Sequence, residues 1–221
     1  MSIRALFLVA LAAVALPAGA ADKIRIVDEA KLASQWSLVP GTQLMPPYPD
    51  AYAKDPEEVC MVVGYMIGQD GHTSDFSLLK SWTSGSNSRA RSKFWAEFGD
   101  LAARAIAQWR YAPASGAGVP VYTAATFVFG SPGNVADTKS HCEVADLTRR
   151  MVELRYDGRA GRMMSRGIFS RLDIDPEVQE RMRQDILAVR EMAERGQMAA
   201  TERMQQGGQQ SAPPPPPAGN K

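Results

Sequence analysis

Residue types able to carry a reaction are sparse in this chain: two histidines, His72 and His141, and two cysteines, Cys60 and Cys142, among 221 residues. His141 and Cys142 are adjacent and could offer a metal two ligands. One further histidine and one further cysteine are too few donors to make a four-ligand zinc site a sound reading. His72 follows Asp70-Gly71, a tight-turn pair, so both His72 and Asp70 are expected at a solvated turn. No Gly-x-Ser-x-Gly elbow, no glycine-rich phosphate loop after a strand and no His-Glu-x-x-His occurs. The expectation is a non-catalytic chain that uses no metal, nucleotide or organic cofactor.

The cysteines are read through their compartment, which the N-terminus indicates. "MSIRALFLVALAAVALPAGAADK" has Arg4, an apolar run from Ala5 to Leu16, Pro17, and then the small-x-small triplet Ala18-Gly19-Ala20. A dozen apolar residues fall short of the roughly 20 that cross a bilayer, so residues 1–20 read as a cleaved secretory signal and the mature chain as periplasmic. Retained, the same run would be an inner-membrane anchor. In an oxidising compartment Cys60 and Cys142 are permitted a disulfide; two unpaired small side chains are the alternative, and spacing alone does not decide. The formal net charge of +1 gives no electrostatic case for nucleic acid as a partner.

The elements that would position these residues follow from periodicity. Residues 21–44 form a lead-in, with "KIRIV" as a short edge strand and "DEAKLASQW" as a short helix, closed by the breaker "PGTQLMPPYP". "VCMVVGYMIGQDG" alternates, putting Met61, Val63, Tyr65 and Ile67 on one face of a strand. Asp70-Gly71 turns the chain into a second strand with Phe76 and Leu78 on one face, so residues 59–82 read as a hairpin. After "TSGSNS", with Ser88 or Asn87 as N-cap, Phe94, Phe98, Leu101, Ala105, Ile106 and Trp109 recur at helical spacing. Trp109 and Tyr111 then anchor the helix end in the core, and Pro113 turns the chain toward a third strand, "VYTAATFVF".

Taken together, "PPYP" (46–49), "QDG" (69–71), "TSG", "QWRYAPA" (108–114) and "GVPVYTAATFVF" (118–129) resemble the C-terminal domain of TonB-type proteins over residues 45–130. The resemblance implies an α+β domain of β-β-α-β order, an antiparallel sheet with one packed helix. It gives Tyr48, Pro49, Gly71, Trp109, Tyr111 and Pro113 as motif and core residues. It also implies recognition by strand addition: an extended segment of an outer-membrane transporter, or of another envelope protein, pairs with an exposed sheet edge. The edge expected to serve is residues 119–129, with Val119, Val121, Tyr122, Thr123, Ala125 and Phe127, and the segment before "PPYP" is placed to cover it or compete for it. Two features depart from the family. Glu58-Val59-Cys60 stands where a glycine is common. Only about 25 residues separate the N-terminal run from "PPYP", a reach of about 90 Å at full extension.

Residues 141–206 read as a helical extension. Val144, Leu147, Met151 and Leu154 form one stripe. A second helix starts with Asp175 as N-cap and Pro176 at its first position, and carries Val178, Met182, Ile186, Val189 and Met192 on one face, with fraying beyond about residue 195. This second stripe is expected to pack on the open face of the sheet, pairing with another copy of the chain being the alternative. Residues 207–221 read as a disordered Gln/Gly/Pro-rich tail. Three functions follow. The first is a periplasmic protein that binds an extended envelope-protein segment. The second is an anchored TonB-type transducer working with an inner-membrane motor complex. The third is a self-associating assembly protein, such as a homodimer.

Overall fold

The structure, a computed structural model, describes residues 23–42, 45–85, 92–156 and 167–209, the last eight of these by backbone alone. The secretory run, the Ser88 or Asn87 cap, most of the basic linker after Tyr156 and the proline-rich end lie outside the described residues. The fold is mixed α+β. Its main sheet has the strand order β1 (Arg25–Ile26), β6 (Val121–Phe129), β3 (Val59–Ile67), β4 (Thr73–Thr83). β3 runs antiparallel to both β4 and β6, and β1 lies parallel to β6.

Strict alternation along β3 builds two cores. Val59, Met61, Val63, Tyr65 and Ile67 face a first cluster, and Cys60 and Val62 face a second. A strand covered on both sides has no polar face, which is why "VCMVVGYMI" contains no charged residue. β4 is less regular. Its pairing skips from Lys80 to Leu78 between Val62 and Val63, so Leu79 lies on the side of the second cluster that Lys80 shares with Val62, while Phe76 and Leu78 pack on the first.

Helix α1 (Ser92–Ile106) covers the first face with Phe94, Phe98, Ala102, Ala105 and Ile106, all buried. Tyr48 meets Phe98 edge-on at 5.4 Å, and its hydroxyl accepts from the Glu57 N–H at 2.9 Å and donates to the Glu57 carbonyl at 3.2 Å. Tyr48-Pro49 is therefore a structural lead-in fixed against the helix. Past α1, Trp109 and Tyr111 are buried, and Tyr111–Pro113 is itself a short strand, β5, paired antiparallel with β2 (Trp36–Leu38). Pro113, expected to turn the chain toward the third strand, thus closes one half of a two-stranded ribbon first. The helix expected over 28–36 is a 3-10 turn, Glu29–Ser34, that ends before β2. Gly71 explains how β5 docks. It has φ +76°, its carbonyl accepts the Tyr111 N–H at 3.0 Å, and a Cβ there would fall 1.9 Å from the Tyr111 carbonyl oxygen.

The second face is covered differently from expectation. Helix α3 (Leu147–Tyr156) lies on it through Leu147, Met151 and Leu154, joined by Ile168 of α4 (Ile168–Arg171) and by Leu172. Cys60 on β3 is joined by a disulfide to Cys142, which follows α2 (Val135–Ser140), with their Cα atoms 6.0 Å apart. Helix α5 (Pro176–Gln209) starts as its cap predicts, with the Asp175 carboxylate accepting from the N–H groups of Glu177 and Val178. Its stripe is absent from the sheet. Val178 and Met182 are half-buried and Ile186 is the last buried residue, whereas Val189 and Met192 are 54% and 63% exposed. The reason is that α3 fills the sheet face first, leaving only the opening turns of α5 a surface to pack on. The helix also continues to Gln209, well beyond the fraying expected near residue 195.

Candidate functional edge

The residues expected to meet a partner divide when placed on β6. The side chains of Val121, Tyr122, Thr123, Ala125 and Phe127 are buried and belong to the core. Val119 precedes the strand, is exposed, and has its carbonyl taken by the Trp36 indole N–H at 3.2 Å. What β6 offers outward is backbone. One side of it is paired with β3 from end to end. On the other side the Tyr122 carbonyl and the Thr126 N–H point outward, and by alternation so do the groups of Ala124 and Val128.

That outer side is not bare. Over its first half it holds the chain's own β1, with Arg25 beside Val121 and Ile26 beside Tyr122, and the Val27 N–H donates to the Tyr122 carbonyl at 2.9 Å. Over its second half no strand among the described residues is paired with it; the carboxylate of Glu29 accepts from the Thr126 N–H at 3.3 Å and from the Thr126 hydroxyl at 2.9 Å. Beside Thr126 opens a groove of about 780 Å³, walled on one side by Asp28, Glu29 and Lys31 and on the other by Ala136, Lys139 and Glu143.

Both walls are positioned by carboxylates. Asp28 takes the Lys31 ammonium at 2.8 Å and the Leu147 N–H at 3.1 Å, so it ties the first wall to the start of α3. The Lys31 bond, aided by that N–H, holds its carboxyl below the ordinary carboxylate value against the opposing effect of burial. Glu58 fixes the second wall by accepting from the Ser131 N–H at 3.0 Å, the Asn134 amide at 3.4 Å and the Thr138 hydroxyl at 3.3 Å. The Ser131 bond is the main cause of its lowered pKa. Glu58 thereby ties the chain after β6 into the α2 wall.

Sequence reasoning picked out β6 and read "KIRIV" as an edge strand, but it did not find Ile24, Val27, Asp28 or Glu29 as the groups that occupy the edge. A two-residue parallel strand leaves no signal of its partner. Of the metal-type residues, Cys142 is spent in the disulfide, and His141 stacks flat on Trp82 with ring centroids 3.9 Å apart. His72 is exposed at the turn, its N–H bonded to Asp70. Among the described residues no helix is long and apolar enough to cross a membrane.

No protein-family model matches this chain, and no curated protein matches it. Among solved structures, the solution structure of the TonB C-terminal domain of Pseudomonas aeruginosa is similar, with 23% identity over 44% of this chain and 87% of that one, at a TM-score of 0.35. A likeness that loose carries no argument about function, and what this edge can do rests on its own geometry.

Proposed function

We propose that this protein is a non-catalytic binding protein of the periplasm that takes up an extended segment of an envelope protein, in the manner of TonB-type domains, by strand addition at the outer edge of β6. The observation that supports this most is at Thr126. Its edge N–H is held by a side-chain carboxylate where a neighbouring strand would otherwise supply a carbonyl, and a groove of about 780 Å³ opens beside it. A glutamate side chain can swing away from such an edge at little cost. The test uses synthetic peptides copied from the periplasmic N-terminal segments of outer-membrane transporters, titrated into the isotope-labelled chain. Amide shifts concentrated on Ala124–Phe129, and lost in Thr126→Pro, are expected, because proline removes the edge donor. Shifts elsewhere, or unaltered binding by Thr126→Pro, would overturn the reading.

A second reading, self-association, is favoured by the far half of α5, where Val189 and Met192 continue the apolar stripe of Ile186 and are 54% and 63% exposed. It predicts a dimer or larger assembly that dissociates when α5 is shortened.

A further inference from the structure

We infer that Ile24–Glu29 is a resident competitor for the β6 edge, held in place by the C-terminal helical region; the inference rests on strand addition at that edge. Edge groups serve one strand at a time. Any segment pairing along the whole of β6 must take the Tyr122 carbonyl that the Val27 N–H now occupies, and must displace the Glu29 carboxylate from Thr126. The competitor is gripped from its far side as well. The Ile24 N–H donates to the Arg171 carbonyl and the Asp173 N–H to the Ile24 carbonyl, each at 2.8 Å, so residues 171–173 form a rail on which the segment lies. Asp28, bonded to the Leu147 N–H, adds a third tie to the same region.

The resident segment also describes what can replace it. It runs parallel to β6 and drops Ile24 into the second core cluster and Val27 into the first, one on each face of the sheet. It ends in two carboxylates, the second of which reaches Thr126. Ile26 packs on the second cluster as well, so the fitting partner is an extended segment with aliphatic residues at the positions of Ile24, Ile26 and Val27 and an acidic residue two places after the last. The exposed Arg25 between them carries no such demand.

Two measurements on the full mature chain test this. Native-state hydrogen exchange should show the Ile24 and Val27 amides opening about a hundredfold more often than those of β3, as expected of a segment that leaves its edge while the body stays folded. Exchange of these amides only with global unfolding would make the segment a fixed strand and overturn the inference. The second measurement uses Val27→Pro, which removes the N–H given to Tyr122. A labelled peptide of residues 23–30 should bind this variant about tenfold tighter than it binds the unaltered chain, since a larger share of edges is free, and a scrambled peptide should not. A folded variant with no gain would sink the inference, and if the variant does not fold, the exchange result decides alone. The outcomes separate the two ideas. Peptide 23–30 binding while transporter segments do not would leave the competitor standing and remove the proposed partner. Transporter segments binding the unaltered chain as tightly as the variant would do the reverse.

Discussion

Three buried phenols sit where charge is costly. The hydroxyls of Tyr65 and Tyr111 meet at 2.7 Å inside the first core, and burial raises both pKa values, that of Tyr65 well above the ordinary 10. Burial also pushes Tyr122, under β3, up to about 12. Below pH 10 the phenols are protonated in both folded and unfolded chains, so the shifts contribute nothing there. Above it the unfolded chain releases protons that the folded chain keeps, and stability falls as pH rises until the folded value is passed. For Tyr122 the difference amounts to roughly 2 kcal/mol by pH 12. Urea midpoints should therefore be insensitive to these groups up to about pH 10 and drop beyond it, with Tyr122→Phe giving a shallower drop. Phenolate absorbance that rises while the midpoint stays level would show the burial argument to be wrong. At this scale the sequence was legible where a residue's role is local. Trp109 and Tyr111 announce a core anchor, and Gly71 a turn. The pairing of Tyr65 with Tyr111 across 46 residues, and the engagement of Glu58 with a loop more than 70 residues away, have no local signature.

Among the elements, those with enough residues to show a period were readable. β3 alternates over nine residues and α1 repeats over fifteen, so both could be placed with their buried faces. β2 and β5 have three residues each and exist only through their pairing with one another, so no period could reveal them, whereas β1 lies within "KIRIV", the stretch read as a short edge strand. The bulge that puts the consecutive residues Leu79 and Lys80 on the same side of the sheet is invisible for the same reason, because it is a property of the pair. The disulfide is the element-level link of greatest consequence. It ties the central strand to the chain after α2, across a separation of 82 residues. Closing a loop of that size restricts the unfolded chain by roughly 4 kcal/mol. Reduction, or replacement of both cysteines by serine, is expected to lower the urea-extrapolated stability by an amount of that order. The α2 wall of the groove should loosen before the β3–β6 ladder does, which amide exchange would register. Equal loosening of both would show that the disulfide stabilises the body uniformly, without a special hold on the wall.

For the molecule as a whole, the sequence implied that a small sheet with one helix needs a cover on its other face, but not which helix would supply it. Leu147, Met151 and Leu154 on α3 fill that face, and the richer stripe on α5 is left with its first turns against α3. Packing order decides this, and it depends on the path of the whole chain. Ending the chain after Arg190 should accordingly change the stability of the body by less than about 0.5 kcal/mol, because the described side chains removed are exposed. A larger loss of denaturation midpoint would mean that the far half of α5 has a partner in solution, and mass measurement on both forms would say whether that partner is a second copy.

The bare part of α5 also governs how this molecule diffuses. A helix of 34 residues is about 51 Å long, and the portion past Ile186 extends about 35 Å from the packed body. A shape of that kind experiences more drag than a sphere of equal mass, and it tumbles at different rates about its long and short axes. Passed through a sizing column, a single copy would elute early and mimic a dimer. Light scattering, which weighs particles without regard to friction, is the measurement that separates shape from stoichiometry here.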